Sequence, residues 1–342
     1  MTAGLNLLSP LRFFGPGHFM VSLFQLLCMV SVMKAFAGDY SGYEAAHAVI
    51  VAAEEAGVDP GWAETLIGDA DRQESILDAI ARPAEKTKPW HEYRKIFVTD
   101  NRIREGARFW DEHAAALSDV SQRTGVPVEV IVAIIGVETF YGRIMGRYRV
   151  IDALSTLAFD YPKRSAFFTK ELEQFLILAW ESGKDPLQLK GSYAGAMGYG
   201  QFMPSSYRAY ALSIDGSGAA DIWDNPKDAI SSVGNYLRAH GWRKGEQVVV
   251  DALSAADQSS VFSSGLRPNK TVGQLASDGV RPAETLTPET VVTPIRLDEE
   301  NGPRYWLGLQ NFYVITRYNR SAMYAMAVWE LSQAVALLRS NS

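Results

Sequence analysis

The sequence predicts a mainly helical protein with a small β-containing part late in the chain. Its 342 residues, 47% of them hydrophobic and 21% charged, have the composition of a globular protein with a sizeable core. Apolar residues recur at helical spacing over most of the chain, whereas residues 246–300 carry short β-branched runs separated by glycine, proline, serine and asparagine. The formal net charge of −6 disfavours a nucleic-acid-binding protein, which would carry a basic excess.

Residues 1–37 are predicted to be a secretory signal peptide. Residues 19–33 are almost entirely apolar, and Ala35-Phe36-Ala37 has the small-x-small spacing that a signal peptidase requires. This apolar stretch is shorter than the roughly 20 residues that span a bilayer, so a permanent membrane anchor is the less favoured alternative. The single cysteine, Cys28, lacks the small preceding residue of a lipid-modified cysteine. Cleavage would leave a soluble chain without cysteine, which excludes thiol nucleophiles and thiolate metal sites.

The predicted helices follow in order along the chain. In the N-terminal part they cover residues 42–57, 62–67, 76–80 and 103–123. Gly125 ends the last of these, because glycine accepts the positive φ that is common after a helix, and Pro127 begins the next helix, where its missing N–H costs little. Further helices are expected at 165–181, 205–212, 226–240 and 321–338. Short strands are expected at 248–250 and around 291–295.

Glu138 is the first candidate for chemistry. At helical spacing it continues the apolar stripe of Ile131, Ile134 and Ile135, so we expect it on a buried helix face. Desolvation raises the pKa of a carboxyl group, which lets a glutamic acid hold a proton near neutral pH and deliver it to a leaving oxygen. The alternative from this segment alone is a buried carboxylate satisfied by hydrogen bonds or by an arginine.

Two segments have the composition of a carbohydrate-binding cleft. Residues 191–207 carry glycines that let a ligand approach the backbone, together with Ser192, Tyr193 and Gln201 as hydrogen-bonding and stacking groups. No Gly-Lys-Ser/Thr motif follows, so a phosphate-binding loop is excluded. Residues 305–324 are dense in aromatic and amide side chains, which stack on sugar faces and bond to hydroxyls. The alternative for residues 191–207 is a tight structural loop, and the alternative for residues 305–324 is aromatic packing in the core.

Residues 213–228 have the alternating oxygen ligands of a calcium loop between two helices. Asp215, Ser217 and Asp228 are the candidate ligands. Serine stands at positions one and five, and no glutamate closes the loop at position twelve, so fewer carboxylates attract the ion. A metal-free turn is at least as well supported as a calcium site.

Together these segments resemble the lytic murein transglycosylase B family, secreted bacterial enzymes that cut the glycan strand of peptidoglycan. The resemblance extends from about Tyr40 to Leu337 and rests on motifs in the same order: Arg82-Pro-Ala-Glu-Lys86, Trp90 to Tyr93, Ile135-Gly-Val-Glu-Thr-Phe-Tyr-Gly142, Leu157-Ala-Phe-Asp-Tyr-Pro162, residues 191–207, Asn235-Tyr-Leu with His240-Gly-Trp242, and Arg317-Tyr-Asn-Arg-Ser321. It implies a lysozyme-like fold with a helical N-terminal part at 38–125, a catalytic core at 126–245, a small β-containing subdomain at 246–300 and a C-terminal return to the core at 301–342.

The resemblance also implies roles for individual residues. Glu138 falls on the family's catalytic acid, and Ser192 and Gln201 fall on residues that hold the acid or the saccharide. Lys163 and Arg164 fall where two basic residues usually face the carboxylates of the peptide stem; a lysine replaces one arginine here and cannot make the same bidentate contact. The implied cleft positions are Tyr93, Tyr236, Tyr318, Asn319 and Tyr324.

The implied reaction is cleavage of the β-1,4 bond between N-acetylmuramic acid and N-acetylglucosamine without water. Glu138 would act first as general acid and then as general base, leaving a 1,6-anhydro end, and no cofactor is required. Family members commonly carry aspartate where Ser213 and Ser217 stand, so weak or absent calcium binding is expected. The implied partners are peptidoglycan strands and cell-wall synthesis proteins, in the periplasm, with no nucleic acid. A muramidase with reducing-end products and a non-catalytic peptidoglycan-binding scaffold are the alternatives.

Overall fold

The computed structural model describes residues 38–81, 88–254, 260–263 and 265–341. The predicted signal peptide at 1–37, with Cys28, lies outside the described residues, and so does the motif from Arg82 to Lys86. Within the described ranges no single helix is long and apolar enough to cross a bilayer. Two pairs meet that test only when joined across sharp bends, Ala114–Thr124 with Val128–Thr139 (113°) and Gln310–Tyr318 with Ala322–Ser340 (108°).

Helices form the first part of the chain. They are α1 (Ala46–Glu55), α2 (Pro60–Gly68), α3 (Glu74–Ala81), α4 (Trp90–Phe97), α5 (Asp100–Glu112) and α6 (Ala114–Thr124). Asp59 caps α2 by accepting a hydrogen bond from the Trp62 backbone N–H, and Gly125 ends α6 at φ 73°, as its residue type predicts.

The central helices surround α7, whose residues Val130 to Val137 are all buried. Pro127 is the N-cap of α7, one position before the helix begins. The elements of this part are α7 (Val128–Thr139), β1 (Tyr148–Arg149), α8 (Val150–Asp160), a 3₁₀ turn (Pro162–Arg164), α9 (Ser165–Ser182), β2 (Lys190–Gly191), α10 (Pro204–Tyr210) and α11 (Pro226–Ala239). The two short strands β1 and β2 pair antiparallel.

A five-stranded antiparallel sheet follows, and two helices then return to the core. The strands are β3 (Val249–Ser254), β4 (Lys270–Thr271), β5 (Val280–Pro282), β6 (Val291–Glu299) and β7 (Gly302–Gly308), in the spatial order β4-β6-β7-β3-β5, with α12 (Val272–Ser277) between β4 and β5. A separate small core of Val250, Val292, Leu307 and neighbouring apolar residues lies beneath this sheet. The returning helices are α13 (Gln310–Tyr318) and α14 (Ala322–Ser340), and α14 packs against α7.

The single long helix predicted at 103–123 is wrong. The chain leaves helical geometry at His113 (φ −118°, ψ 22°), which separates α5 from α6. The two pieces have different partners, since α5 packs on α14 and α6 packs on α11. Neither glycine nor proline marks this break, so tertiary packing overrides an unbroken apolar periodicity.

The sheet extends beyond the predicted boundary at residue 300. Strands β6 and β7 pair along their length, from Glu299 opposite Gly302 to Thr293 opposite Gly308. Residues 300–301 are therefore the hairpin turn between these strands and not the end of the subdomain. Helix α8 was not among the predicted helices, and its residues Val150 to Ala158 are all buried.

Candidate active site

Glu138 lies in the last turn of α7, and its carboxyl group is hydrogen-bonded to α14. The Tyr324 hydroxyl donates to Oε1 of Glu138 at 2.5 Å. Tyr324 is in the first turn of α14, which Ser321 caps through the Tyr324 backbone N–H (3.2 Å). Glu138 is half-buried, whereas the apolar stripe predicted a buried position.

The turn after Glu138 has a backbone conformation that is unusual for its residue types. Phe140 (φ 52°) and Tyr141 (φ 60°) both occupy the left-handed region, and the Tyr141 ring folds back against α7. A Cβ on Gly136 would lie 2.5 Å from the Tyr141 hydroxyl oxygen, which explains the glycine. The Tyr141 hydroxyl donates to the Arg102 carbonyl at 3.0 Å. These contacts fix the end of the helix that carries the acid, where such strain is expected at a functional site.

Thr139 joins α7 to the glycine-rich loop, residues 191–207. Its buried hydroxyl donates to the Tyr199 carbonyl at 2.9 Å and accepts from the Gly142 backbone N–H at 3.0 Å. Gly142 is at φ 87° directly beneath the Tyr199 ring, where a Cβ would collide. The motif around Glu138 and the glycine-rich loop therefore form one packed unit.

The loop also contacts α13. The Tyr318 hydroxyl donates to the Gly200 carbonyl at 2.6 Å, and a Cβ on Gly200 would lie 2.8 Å from that hydroxyl oxygen. Gln201 adopts φ 50°, and its amide nitrogen donates to the carbonyls of Met145 (3.2 Å) and Gly198 (3.0 Å). Ser192 accepts from the backbone N–H groups of Ala194 (3.3 Å) and Ala196 (3.1 Å). Ser192 and Gln201 thus shape the loop through backbone atoms.

Two tyrosine hydroxyls near Glu138 are held in their protonated form. Burial, followed by the charge of Glu138, raises the pKa of Tyr324 and of Tyr318 well above the ordinary value. Both groups therefore remain hydrogen-bond donors throughout the physiological range. Tyr236 packs against Tyr318 with ring centroids 4.8 Å apart and donates to the Arg317 carbonyl at 2.6 Å. Burial raises the pKa of Tyr236 to about 12.

Most of the predicted cleft tyrosines are buried. Tyr93, Tyr236 and Tyr324 are 2%, 8% and 2% exposed, so their ring faces contact protein and do not form an open surface for a sugar. Tyr193, on the glycine-rich loop, is exposed. Tyr318 and Tyr324 thus lie near Glu138, and Tyr193 is the predicted cleft tyrosine whose ring is exposed.

The remaining predicted substrate contacts are exposed. Lys163 and Arg164 form the 3₁₀ turn before α9, and the Arg164 guanidinium lies 4.2 Å from the centre of the Phe167 ring. Asn319 is the exposed residue that follows α13.

The calcium-like loop is closed by its own hydrogen bonds. Oδ1 of Asp215 accepts from the Ser213 hydroxyl (2.5 Å) and from the Ser217 hydroxyl (2.6 Å) and backbone N–H (2.9 Å), which lowers the pKa of Asp215. Asp228 is buried and accepts from the backbone N–H groups of Ile214 (3.0 Å) and Asp221 (2.8 Å). Among the described residues no group of three or more His, Cys, Asp or Glu side chains could hold a metal. Calcium takes about 6–8 oxygen ligands, and of the predicted set only Asp215 and Asp228 supply carboxylates.

Sequence patterns did not identify Thr139 and Tyr141 as parts of the site. Both stand within the quoted motif around Glu138, but their contacts reach residues 60 and 39 positions away. The available signal was the pair of glycines: Gly136 lies inside a helix, where glycine is unfavourable without a packing reason, and Gly142 lies just after the helix at a positive φ.

Comparisons with known proteins agree with this architecture. A family model described as a transglycosylase SLT domain matches residues 43–333. The chain is 47% identical over 292 residues to the membrane-bound lytic murein transglycosylase B of Escherichia coli (strain K12), covering 83% of this chain and 80% of that protein.

Solved structures are similar over nearly the whole described chain. The catenated lytic transglycosylase SltB1 from Pseudomonas aeruginosa superposes with a TM-score of 0.84 at 50% identity, covering 88% of this chain and 100% of that one. The Escherichia coli lytic transglycosylase Slt35 in complex with calcium gives 0.81 at 45% identity, covering 89% and 96%. These similarities confirm the predicted fold class, mainly helical with a lysozyme-like core and a small sheet.

Proposed function

This chain belongs to the transglycosylase SLT domain family and is a lytic murein transglycosylase, and on that premise we propose that Glu138 is its single general acid and base. The bond cleaved is the β-1,4 linkage between N-acetylmuramic acid and N-acetylglucosamine in the peptidoglycan strand. The product is a 1,6-anhydromuramic acid end. The observation that carries the assignment is the hydrogen bond from Tyr324 to the Glu138 carboxyl group at the end of α7.

The position of Glu138 supports its role as proton donor. The C-terminus of a helix carries partial negative charge, which disfavours a second negative charge on a carboxylate in its last turn. Tyr324 donates to Oε1, so in the protonated acid Oε1 is the carbonyl oxygen and the proton lies on Oε2. The acid thus presents one defined oxygen for proton transfer.

The reaction follows in two steps that use the same carboxyl group. Glu138 donates its proton to the glycosidic oxygen as the bond from that oxygen to the muramyl anomeric carbon breaks, and the substrate's N-acetyl oxygen stabilises the cationic centre. The Glu138 carboxylate then accepts the proton of the muramyl 6-hydroxyl as that oxygen bonds to the anomeric carbon. Glu138 ends protonated as it began, and no water is consumed.

The surrounding residues divide into positioning and contact groups. Tyr324 and Tyr318 orient the acid and the glycine-rich loop through hydroxyl donation, with Tyr93 and Tyr236 packed behind them. Ser192 and Gln201 hold the loop that borders the saccharide. The exposed side chains that contact the strand are Tyr193, Asn319, Lys163 and Arg164.

The enzyme requires no cofactor in this scheme, and the loop containing Asp215, Ser217 and Asp228 folds without calcium. The Ser213 and Ser217 hydroxyls both donate to Oδ1 of Asp215, the carboxylate oxygen that a cation would otherwise bind. Residues 1–37 direct the chain to the periplasm, where its substrate lies, and are removed there.

The test is turnover of purified sacculi by the wild-type protein and by Glu138→Gln, with mass spectrometry of the released muropeptides. We expect wild-type products lighter by one water than hydrolytic ones, and no products from Glu138→Gln, which is nearly isosteric. Glu129→Gln, at the opposite end of α7, is the matched control and should retain turnover. Reducing-end products would indicate a muramidase. Binding without products from any of the proteins would indicate a scaffold protein.

A further inference from the structure

A cavity of about 600 Å³ beside the C-terminal end of α13 collects three arginines. Its lining includes Arg267, from the segment before β4, and Arg317 and Arg320, from the end of α13 and the turn that follows it; Asn269, Tyr313 and Thr316 add polar groups. Among the described residues that line this cavity, none is acidic. In a chain of net charge −6, this is a local concentration of positive charge.

The three guanidinium groups have no counter-charge in the part of the chain that the structure describes. None of Arg267, Arg317 and Arg320 forms a salt bridge or a side-chain hydrogen bond there. The charged cavity beside α4 differs in this respect, because its Arg94 pairs with Glu330 and its Lys95 with Glu300. Guanidinium groups without partners in one cavity repel one another and favour a bound anion, and their planar donors match a carboxylate.

The cavity wall is anchored to the sheet. The Gly265 carbonyl accepts from the Thr293 hydroxyl at 2.7 Å, and the Asn269 backbone N–H donates to the Val292 carbonyl at 3.2 Å. Both anchors belong to β6, so the segment that carries Arg267 is held on each side of that arginine. The arginine of the β-containing part therefore faces those of α13 across a defined space.

This cavity adjoins the catalytic residues. The Arg317 carbonyl accepts from the Tyr236 hydroxyl, and the Tyr236 ring packs on Tyr318, which is bonded to the glycine-rich loop. Arg317 and Arg320 bracket Tyr318 and Asn319 in the chain. The cavity is therefore connected, through the backbone of Arg317, to the end of α13 that carries Tyr318 and Asn319.

We propose that Arg267, Arg317 and Arg320 form a subsite for the carboxylates of the peptide stem of peptidoglycan. The proposal rests on the proposed function and adds a preference for strands that carry stems. The stem is attached to the muramyl residue adjacent to the cleaved bond, so an anionic stem would reach past the cleft while the sugars occupy it. Carboxylates are the anionic groups of this substrate and match the three unpaired guanidinium groups.

The experiment compares two substrates: glycan strands with their stems, and the same strands after an amidase has removed the stems. We measure KM and kcat on both for the wild-type protein, for Arg267→Ala/Arg320→Ala, and for Arg281→Ala as the matched control. Arg281 is an exposed arginine of β5 in the same sheet, outside the cavity. Both alanine sites are exposed, so the fold should tolerate them, and thermal unfolding checks this.

We expect the double variant to raise KM for stem-bearing strands about tenfold relative to stem-free strands, equivalent to about 1.4 kcal/mol. The wild-type protein and Arg281→Ala should prefer stem-bearing strands equally. A double variant that keeps the wild-type preference, while both substrates are cleaved, would overturn the subsite and leave the proposed function intact. A wild-type protein that cleaves neither substrate would overturn the proposed function and the subsite with it.

Discussion

Removal of one hydroxyl group, in Tyr324→Phe, tests how the acid is positioned. The Tyr324 hydroxyl donates to Glu138 at 2.5 Å, and Tyr324 is 2% exposed, so the substitution removes a buried donor. A hydrogen bond to a charged group contributes about 1.5–3 kcal/mol. If that contribution orients Glu138 in the transition state, kcat should fall by roughly 10- to 100-fold with little change in KM.

The assay is muropeptide release from sacculi at several substrate concentrations. Tyr40→Phe is the matched control, because buried Tyr40 also donates to a carboxylate, that of Asp160 at the end of α8. The reasoning is refuted if Tyr324→Phe keeps wild-type kcat, or if it loses no more activity than Tyr40→Phe.

Three further predictions concern stability. Gly136→Ala places a Cβ 2.5 Å from the Tyr141 hydroxyl oxygen and should lower the free energy of unfolding by about 1–3 kcal/mol in urea titrations; an unchanged midpoint would contradict the packing described. Because burial raises the pKa of Tyr236 from 10.0 to about 12, the contribution of this residue to the free energy of unfolding is complete below pH 10. That contribution is lost as the pH rises to 12. Between pH 10 and pH 12 the free energy of unfolding of the wild type should fall by about 2 kcal/mol more than that of Tyr236→Phe, and parallel profiles would argue against this effect. Ser213→Asp/Ser217→Asp should gain a calcium-dependent rise in Tm that the wild-type protein lacks; a wild-type rise would show that the loop binds calcium.

Local patterns located Glu138 and the main helices. The apolar stripe of Ile131, Ile134 and Ile135 placed Glu138 on a helix, and the structure shows it in α7. Residues 165–181 correspond to Ser165–Ser182, and 226–240 to Pro226–Ala239, because amphipathic periodicity and helix-capping residues are local signals.

Long-range contacts were outside the reach of such patterns. The donor to Glu138 lies 186 positions along the chain, and the Tyr318 ring that requires Gly200 is 118 positions away from it. The break at His113 has the same origin, since it depends on which helices α5 and α6 meet. Half-burial of Glu138 also follows from how α14 crosses α7, which helical periodicity does not specify.

The central claim, that Glu138 cleaves the strand without water, is tested most directly by digestion of sacculi in heavy-oxygen water. Mass spectrometry of the new muramyl ends would show whether solvent oxygen enters the product. We expect anhydro ends without the heavy-oxygen label from the wild-type protein and no new muramyl ends from Glu138→Gln. Labelled reducing ends, or unlabelled anhydro ends formed at wild-type rate by Glu138→Gln, would contradict it.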